Sequence, residues 1–282
     1  MTGKSLHKKQ PTADSLDEIQ EALAPLMADM AHTGIFLDLD GTLAPIMPRP
    51  NDVAVPPDII RLIRKLSHTY LAVTIVSGRP ATGAKRIVGN SELAYIGNHG
   101  FETMLPGRAV VVCEEAQPYI AKIRELVEYC RKVEEMSEMG IWLEDKTATM
   151  SFHFRNAPDP RQSMEFMHER IFPEVERLGL AVSEGRKVIE VRPPVPVNKG
   201  IAVGQLLDRL SCVKAIYVGD DTTDIDALKE LRKRGRRKNQ TMLGVGVISD
   251  EMPNELPKFA DLLVERTSGV EQLLQLLAGE AP

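Results

Sequence analysis

Gly34-Ile35-Phe36-Leu37-Asp38-Leu39-Asp40-Gly41-Thr42-Leu43 is a short apolar run that ends in two carboxylates. A run of this length reads as a buried strand, and Asp is depleted in strands. Two carboxylates beside an apolar core repel each other and lose hydration unless a cation or a chemical task accompanies them. Asp40-Gly41 also reads as a turn signal, so the chain is expected to reverse where the strand ends.

Outward from this strand the pattern repeats. Leu71 to Val76, Leu93 to Ile96, Ala215 to Val218, Leu243 to Val247 and Leu262 to Val264 are further apolar runs, and Asp58 to Ser67, Lys199 to Leu210, Asp224 to Lys233 and Gly269 to Leu277 have helical periodicity. The alternation predicts a Rossmann-like α/β core of three layers, with a mainly parallel sheet and ligands at the carboxyl ends of its strands. Chemistry-bearing residues follow those ends. Ser77-Gly78-Arg79 offers a hydroxyl and backbone N–H groups to phosphate oxygens, and Lys199 in Asn198-Lys199-Gly200 places an ammonium at a helix amino end. Gly219-Asp220-Asp221-Thr222-Thr223-Asp224 follows another strand, and its oxygen-only donors suit a hard divalent cation. Asp and Thr also cap helices, so part of that cluster has a structural use.

Far more chain separates Ser77 from Lys199 than the roughly 30 residues of a βαβ unit. The surplus predicts an inserted α+β cap domain, with strands at Val110 to Cys113, Ala148 to Phe154, Leu180 to Ser183 and Val188 to Val191 and helices near 115–135 and 161–178. In Thr147 to Arg155, the odd-numbered residues share one face and the even-numbered apolar residues share the other. The expected division is 1–33 as an N-terminal tail and helix, 34–102 with 195–282 as the core, and 103–194 as the cap. Residues Met1 to Asp14 read as a loose tail, with the helix beginning near Leu16. Thr2-Gly3-Lys4-Ser5 lacks the first glycine and the preceding strand of a phosphate-binding loop. His153 and Trp142 read as packing or cap-face residues.

The chain has 282 residues, 43% hydrophobic and 27% charged, which excludes disorder. A net charge of −5 is adverse to nonspecific nucleic-acid binding and points to a small-molecule partner. Cys113, Cys130 and Cys212 show no metal-ligand spacing and fit a reducing compartment. With no apolar stretch of membrane length, a cytoplasmic protein that engages no membrane is expected. Nothing in the sequence specifies an oligomeric state.

Taken in order, the four strand-end elements resemble the haloacid dehalogenase superfamily. With Gly97-Asn98-His99-Gly100 and Glu184-Gly185-Arg186-Lys187-Val188-Ile189-Glu190-Val191-Arg192-Pro193 added, they look like the trehalose-6-phosphate phosphatases. The resemblance implies a Mg²⁺-dependent hydrolase of a sugar phosphate, acting on trehalose 6-phosphate through an aspartyl-phosphate. Asp38 would be the nucleophile, Asp40 the acid and base, and Lys199 a neutralising cation. Thr42, Ser77, Gly78 and Lys199 would hold phosphate, while Asp38, Asp40 through its carbonyl, and Asp220 would hold Mg²⁺ with support from Asp221 and Asp224. Arg79, His99, Glu144, Lys146 and Glu184 would line the substrate, although a lone His in a glycine-rich turn also has a purely structural reading. Ile225 stands where the family usually has Glu, and Arg186 where Lys is common. Phosphatases of sucrose phosphate or mannosyl-3-phosphoglycerate share the core motifs, so only the cap discriminates. A non-hydrolysing sensor or an aspartate-phosphorylated receiver needs no second acid at Asp40.

Overall fold

The structure, a computed structural model, describes residues 12–47, 49, 52–185 and 187–282. Thr2-Gly3-Lys4-Ser5, the rest of the tail before residue 12, and Arg186 lie outside the described residues. In chain order the elements are α1 (Leu16–Met27), β1 (Thr33–Asp38), α2 (Pro57–Ser67), β2 (Ala72–Val76), α3 (Ala81–Val88), β3 (Ala94–Gly97), β4 (Glu102–Met104) and β5 (Val111–Val112). Then come α4 (Ile120–Cys130), α5 (Glu135–Glu138), β6 (Trp142–Asp145), β7 (Met150–His153), α6 (Pro160–Arg170), α7 (Phe172–Arg177), β8 (Ala181–Gly185) and β9 (Val188–Arg192). The chain closes with α8 (Lys199–Arg209), β10 (Lys214–Gly219), α9 (Asp224–Gly235), β11 (Thr241–Ile248), β12 (Leu262–Glu265) and α10 (Arg266–Leu277).

Eight strands form one sheet in the order β12-β11-β10-β1-β2-β3-β4-β5. The six from β12 to β3 are parallel, as the apolar runs predict, and β4 and β5 add an antiparallel edge. Alternation along β1 sends Ile35 and Leu37 into the apolar layer containing α1, α2 and α10, and Phe36 into the layer formed by α8 and α9. Both faces are covered, and every residue of β1 is buried. From β1 the chain builds outward through β2 on one side and later returns to place β10 on the other. That reversal is a topological switch point, where a crevice opens beyond the carboxyl ends of β1 and β10.

A second, antiparallel sheet runs β6-β7-β9-β8 and packs its inner face on α4, α6 and α7 through Met150, Phe152, Ile189, Val191, Ile123 and Met167. Phe101, Ala116, Ala148 and Val197 form a small apolar contact where the two sheets meet.

Several local expectations are corrected. Val111–Val112, read with the inserted segment, joins the large sheet, because the Pro106-Gly107 turn, with Gly107 at φ +67°, folds it back onto β4. The strand β6 escapes a reading by propensity because Glu144 and Asp145 are poor strand formers. The helix expected over 161–178 breaks at Ile171, ahead of Pro173, which has no N–H to carry the helix on. Asp14, expected within the loose tail, is anchored: its N–H donates to the Leu263 carbonyl at 2.9 Å and its carboxylate accepts from the Leu263 N–H at 2.6 Å.

Candidate active site

Because β1 and β10 are parallel neighbours with Leu37 opposite Val218, Asp38 and the Gly219-Asp220 step leave the sheet side by side. Lys199 reaches them from the first turn of α8, whose Asn198 side chain accepts from the Ile201 N–H. The Lys199 Nζ donates to Asp38 Oδ1 at 2.6 Å and to Asp224 Oδ1 at 2.6 Å. The Tyr217 hydroxyl also donates to Asp224 Oδ1, and Asp224 Oδ2 accepts the N–H groups of Asp220 and Asp221 at 3.0 and 2.9 Å. Asp224 is therefore fully engaged as a brace. Thr42 donates its hydroxyl to Asp220 Oδ1 at 3.0 Å. Gly41, at φ +90°, admits the turn that brings Thr42 there, and a Cβ at this position would stand 2.2 Å from Asp220 Oδ2.

Asp38, Asp220 and Asp224 each offer an oxygen within 4.8 Å of the others, and all three are buried. One lysine cannot balance three carboxylates. Burial, then repulsion from Asp224 and Asp220, raises the Asp38 carboxyl well above its ordinary range despite Lys199. Burial and Asp224 likewise push Asp220 up to about 7, against Lys199 and the Thr42 hydrogen bond. Burial alone would lower Lys199, yet Asp224 and Asp38 outweigh it and raise the ammonium above its ordinary value. Asp38 Oδ2 and Asp220 Oδ2 accept no hydrogen bond among the described residues. A surplus of negative charge with two uncommitted carboxylate oxygens fits a hard divalent cation such as Mg²⁺.

The Asp220 shift carries a testable consequence. In the unfolded chain its carboxyl titrates near 3.8 and in the fold near 7, so the group subtracts stability as pH rises between those values. In metal-free buffer, Asp220→Asn should gain stability relative to the parent as pH climbs through that window, measured by urea denaturation. A difference that stays flat from about pH 4 to 8 would contradict the shift.

Asp40 lies on the turn beyond β1, half-buried, and pairs with Arg79 through two bonds, Nε to Oδ2 at 2.7 Å and Nη2 to Oδ1 at 2.6 Å. Such a two-pronged pair fixes the plane of the carboxylate. Ser77 is buried at the end of β2, and Gly78 follows it with His99 stacked so closely that a Cβ on Gly78 would fall 2.5 Å from the imidazole. Burial lowers the His99 pKa, outweighing the pull of Glu190. Asn98 and His99 both adopt left-handed backbone angles, φ +53° and +55°, a strained arrangement that persists only where its surroundings hold it. They are held there: the Thr149 hydroxyl donates to Asn98 Oδ1 at 2.6 Å, and the Asn98 amide donates to the Lys146 carbonyl at 3.3 Å.

The small sheet thus closes over the crevice. The Lys146 Nζ donates to the Gly78 carbonyl and to Glu190 Oε1, both at 3.3 Å, and stands 3.9 Å from Glu144 Oε2. Glu190 Oε2 lies 3.7 Å from His99 Nε2, and Glu144 Oε2 bonds His153 Nε2 at 3.0 Å. Although burial opposes it, His99 and Lys146 hold the Glu190 carboxyl below its ordinary range, and His153 and Lys146 do the same for Glu144.

Of the residues named from sequence, the structure gathers Asp38, Asp40, Thr42, Ser77, Gly78, Arg79, His99, Lys199, Asp220 and Asp224 about the crevice, with Glu144 and Lys146 as its roof. Asp221 is exposed and contributes its backbone to Asp224. Glu184 is not brought in. It is exposed on the edge strand β8, in register with Ile189, which packs inward, whereas Ser183 is in register with Glu190 on the crevice face. Sequence reading misses Glu190 and Tyr217 as site residues. The signal for Glu190 is the alternation of β9, where apolar Ile189 and Val191 flank it; Tyr217 carries none, since it reads as one more apolar strand residue. Ile225 is buried in the apolar layer under α8 and α9.

A parallel α/β sheet with carboxylates and a buried lysine at its switch point, roofed by a small antiparallel sheet, is the architecture of a haloacid dehalogenase-like protein with a cap. The trehalose-phosphatase family model matches residues 36–259, and the chain belongs to that family. It is 34% identical over 253 residues to probable trehalose-phosphate phosphatase 4 of Oryza sativa subsp. japonica, covering 86% of this chain and 65% of that protein. Probable trehalose-phosphate phosphatase G of Arabidopsis thaliana is 31% identical over 253 residues, covering 81% and 64%. The chain thus spans a little under two thirds of the length of these relatives. The fold is shared with a crystal structure of a trehalose-6-phosphate phosphatase related protein, at TM-score 0.72, 23% identity and coverage of 87% of this chain and 97% of that one. It is shared too with the C-terminal domain of Candida albicans trehalose-6-phosphate phosphatase, at TM-score 0.71, 22% identity and coverage of 97% and 100%. No helix among the described residues is long and apolar enough to cross a membrane.

Proposed function

We propose that the chain hydrolyses trehalose 6-phosphate to trehalose and phosphate, with Asp38 as nucleophile. The observation that carries the reading is Lys199 clasped between Asp38 and Asp224 beside Asp220, at the mouth of the sheet. A carboxylate oxygen of Asp38 attacks phosphorus while the sugar oxygen leaves, giving an aspartyl-phosphate on Asp38. Asp40, once substrate displaces its pairing with Arg79 and its carboxyl has taken a proton from solvent, delivers that proton to the departing oxygen and then takes one from the water that attacks the aspartyl-phosphate. Lys199 offsets charge on the transferring group, and Thr42, Ser77 and the Gly78 backbone border its oxygens. Asp38 and Asp220, with the Asp40 carbonyl, would hold Mg²⁺, which when bound withdraws charge from the phosphoryl oxygens. Asp224 and Asp221 keep those ligands in place.

In this reading residues 34–112 and 195–282 act as the core, because β4 and β5 join the large sheet, and 113–194 act as the cap, whose closure excludes water. The three free cysteines suit a reducing, cytoplasmic setting. The test is phosphate release from a panel of sugar phosphates with Mg²⁺ and with EDTA. Preference for trehalose 6-phosphate, lost in EDTA and restored by Mg²⁺, is expected. Full activity without metal would sink the mechanism, and equal activity on sucrose phosphate or mannosyl-3-phosphoglycerate would overturn the substrate.

Glu190 replaces Glu184 as the expected sugar-binding acid. Carboxylates and an ammonium along the roof pair with sugar hydroxyls, and loss of one charged hydrogen bond is worth about 1.5 to 3 kcal/mol, or roughly 10- to 150-fold. Glu190→Gln should therefore cut the kcat/KM ratio of trehalose 6-phosphate to 4-nitrophenyl phosphate by that factor, and Glu184→Ala should leave the ratio unchanged. The reverse outcome would restore Glu184 and remove Glu190.

A further inference from the structure

A continuous row of side chains leads out of the crevice along the small sheet. It begins beside Arg79 at the Gly78 carbonyl, which accepts from the Lys146 Nζ at 3.3 Å, and that ammonium stands 3.9 Å from Glu144 Oε2. From Glu144 it passes to His153 at 3.0 Å and from the His153 ring to the Trp142 indole, with centroids 4.8 Å apart and planes tilted by 38°. Trp142 and Glu144 are two residues apart on β6, and Trp142 is in register with His153, so all three occupy the crevice face.

Trp142 is the protein's sole tryptophan and is 52% exposed, while Leu143 beside it on the strand packs against the inner core. The wall therefore changes character along its length: charged groups stand near the reacting centre and a bare aromatic surface stands at its outer end. A pyranose has a matching division, with a rim of hydroxyls and a face of C–H groups. Hydroxyls pair with carboxylates and ammonium groups, and C–H groups with their slight positive charge settle on the negative face of an indole. The spacing also fits. Two strand residues span about 7 Å, so Trp142 stands roughly one sugar ring beyond Glu144 along β6.

We propose that Trp142, seated on His153, is the stacking platform for the second hexose, so that it selects a disaccharide phosphate over a monosaccharide phosphate. This rests on the sugar-phosphate reading above and deepens it. A hexose phosphate with one ring is held by Arg79, Lys146 and Glu144 and ends short of the indole. The second ring of a disaccharide covers the indole and removes its face from water.

Two measurements test this. Trp142→Ala should lower the kcat/KM ratio of trehalose 6-phosphate to glucose 6-phosphate on the order of tenfold, chiefly through KM, and Trp142→Phe should recover most of it. Because no other tryptophan contributes, the intrinsic fluorescence of the otherwise unaltered Asp38→Asn protein reports on this ring alone. Trehalose 6-phosphate should shift or quench that emission at saturation, and glucose 6-phosphate should not. An unchanged ratio in Trp142→Ala, or an emission response equal for the two ligands, would overturn the platform while trehalose 6-phosphate turnover by the parent leaves the phosphatase reading intact. Absence of that turnover in the parent would remove both.

Discussion

Asp38→Asn should abolish phosphate release while the protein stays folded. An amide cannot form the bond to phosphorus, and removing a nucleophile of this kind costs on the order of 10⁴ in rate or more. The fold should tolerate the change because the carboxylate is itself a burden in metal-free protein: burial and the neighbouring Asp224 and Asp220 raise its pKa. The neutral amide removes that repulsion and can still accept from Lys199, so the melting temperature in metal-free buffer should hold or rise. Phosphate release and a thermal melt on the same preparation check both halves. Ordinary turnover by the variant would remove Asp38 as nucleophile, and an unfolded variant would contradict the electrostatic account of the cluster.

Asp40→Asn should lose about 10² to 10⁴ in turnover, the usual worth of a positioned proton donor and acceptor. Its signature differs from that of Asp38→Asn. Asp38, Lys199 and Asp220 are untouched, so phosphorus can still be attacked when the leaving group needs little protonation. With 4-nitrophenyl phosphate, phosphate should accumulate on the protein because water is no longer activated, and mass spectrometry of the quenched protein should find it on Asp38. Arg79 loses one of its two carboxylate oxygens but retains an amide carbonyl, which keeps the local structure in place. Unchanged turnover, or the absence of phosphorylated protein at every time point, would deny Asp40 the second step.

How much of this was legible beforehand follows from the range of the interactions. The run Gly34 to Asp38 announces a buried strand because apolar burial on both faces leaves its mark in a few consecutive residues. The Asp220 to Asp224 cluster is equally visible, since charges at a strand end conflict with burial and the conflict is local. The strand–helix alternation then implies a parallel sheet with its ligands at the carboxyl ends, and the excess chain between Ser77 and Lys199 implies an insertion. These properties the sequence determined by itself, because each depends on neighbours along the chain.

Tertiary structure decided the rest. Lys199 meets Asp38 across 161 residues of chain, and Asp40 meets Arg79 across 39. Val111–Val112 carries the residues of a strand, but only pairing assigns it to the large sheet. Glu184 and Glu190 lie on adjacent strands, and only the register of β8 against β9 shows that Glu190 shares the crevice face while Glu184 does not. Period-two alternation tells which residues share a face of one strand; it is blind to what that face will meet. Which face meets the carboxylates of the crevice depends on how two sheets dock through Phe101, Ala148 and Val197, and that contact is written in packing between distant segments rather than in any local pattern.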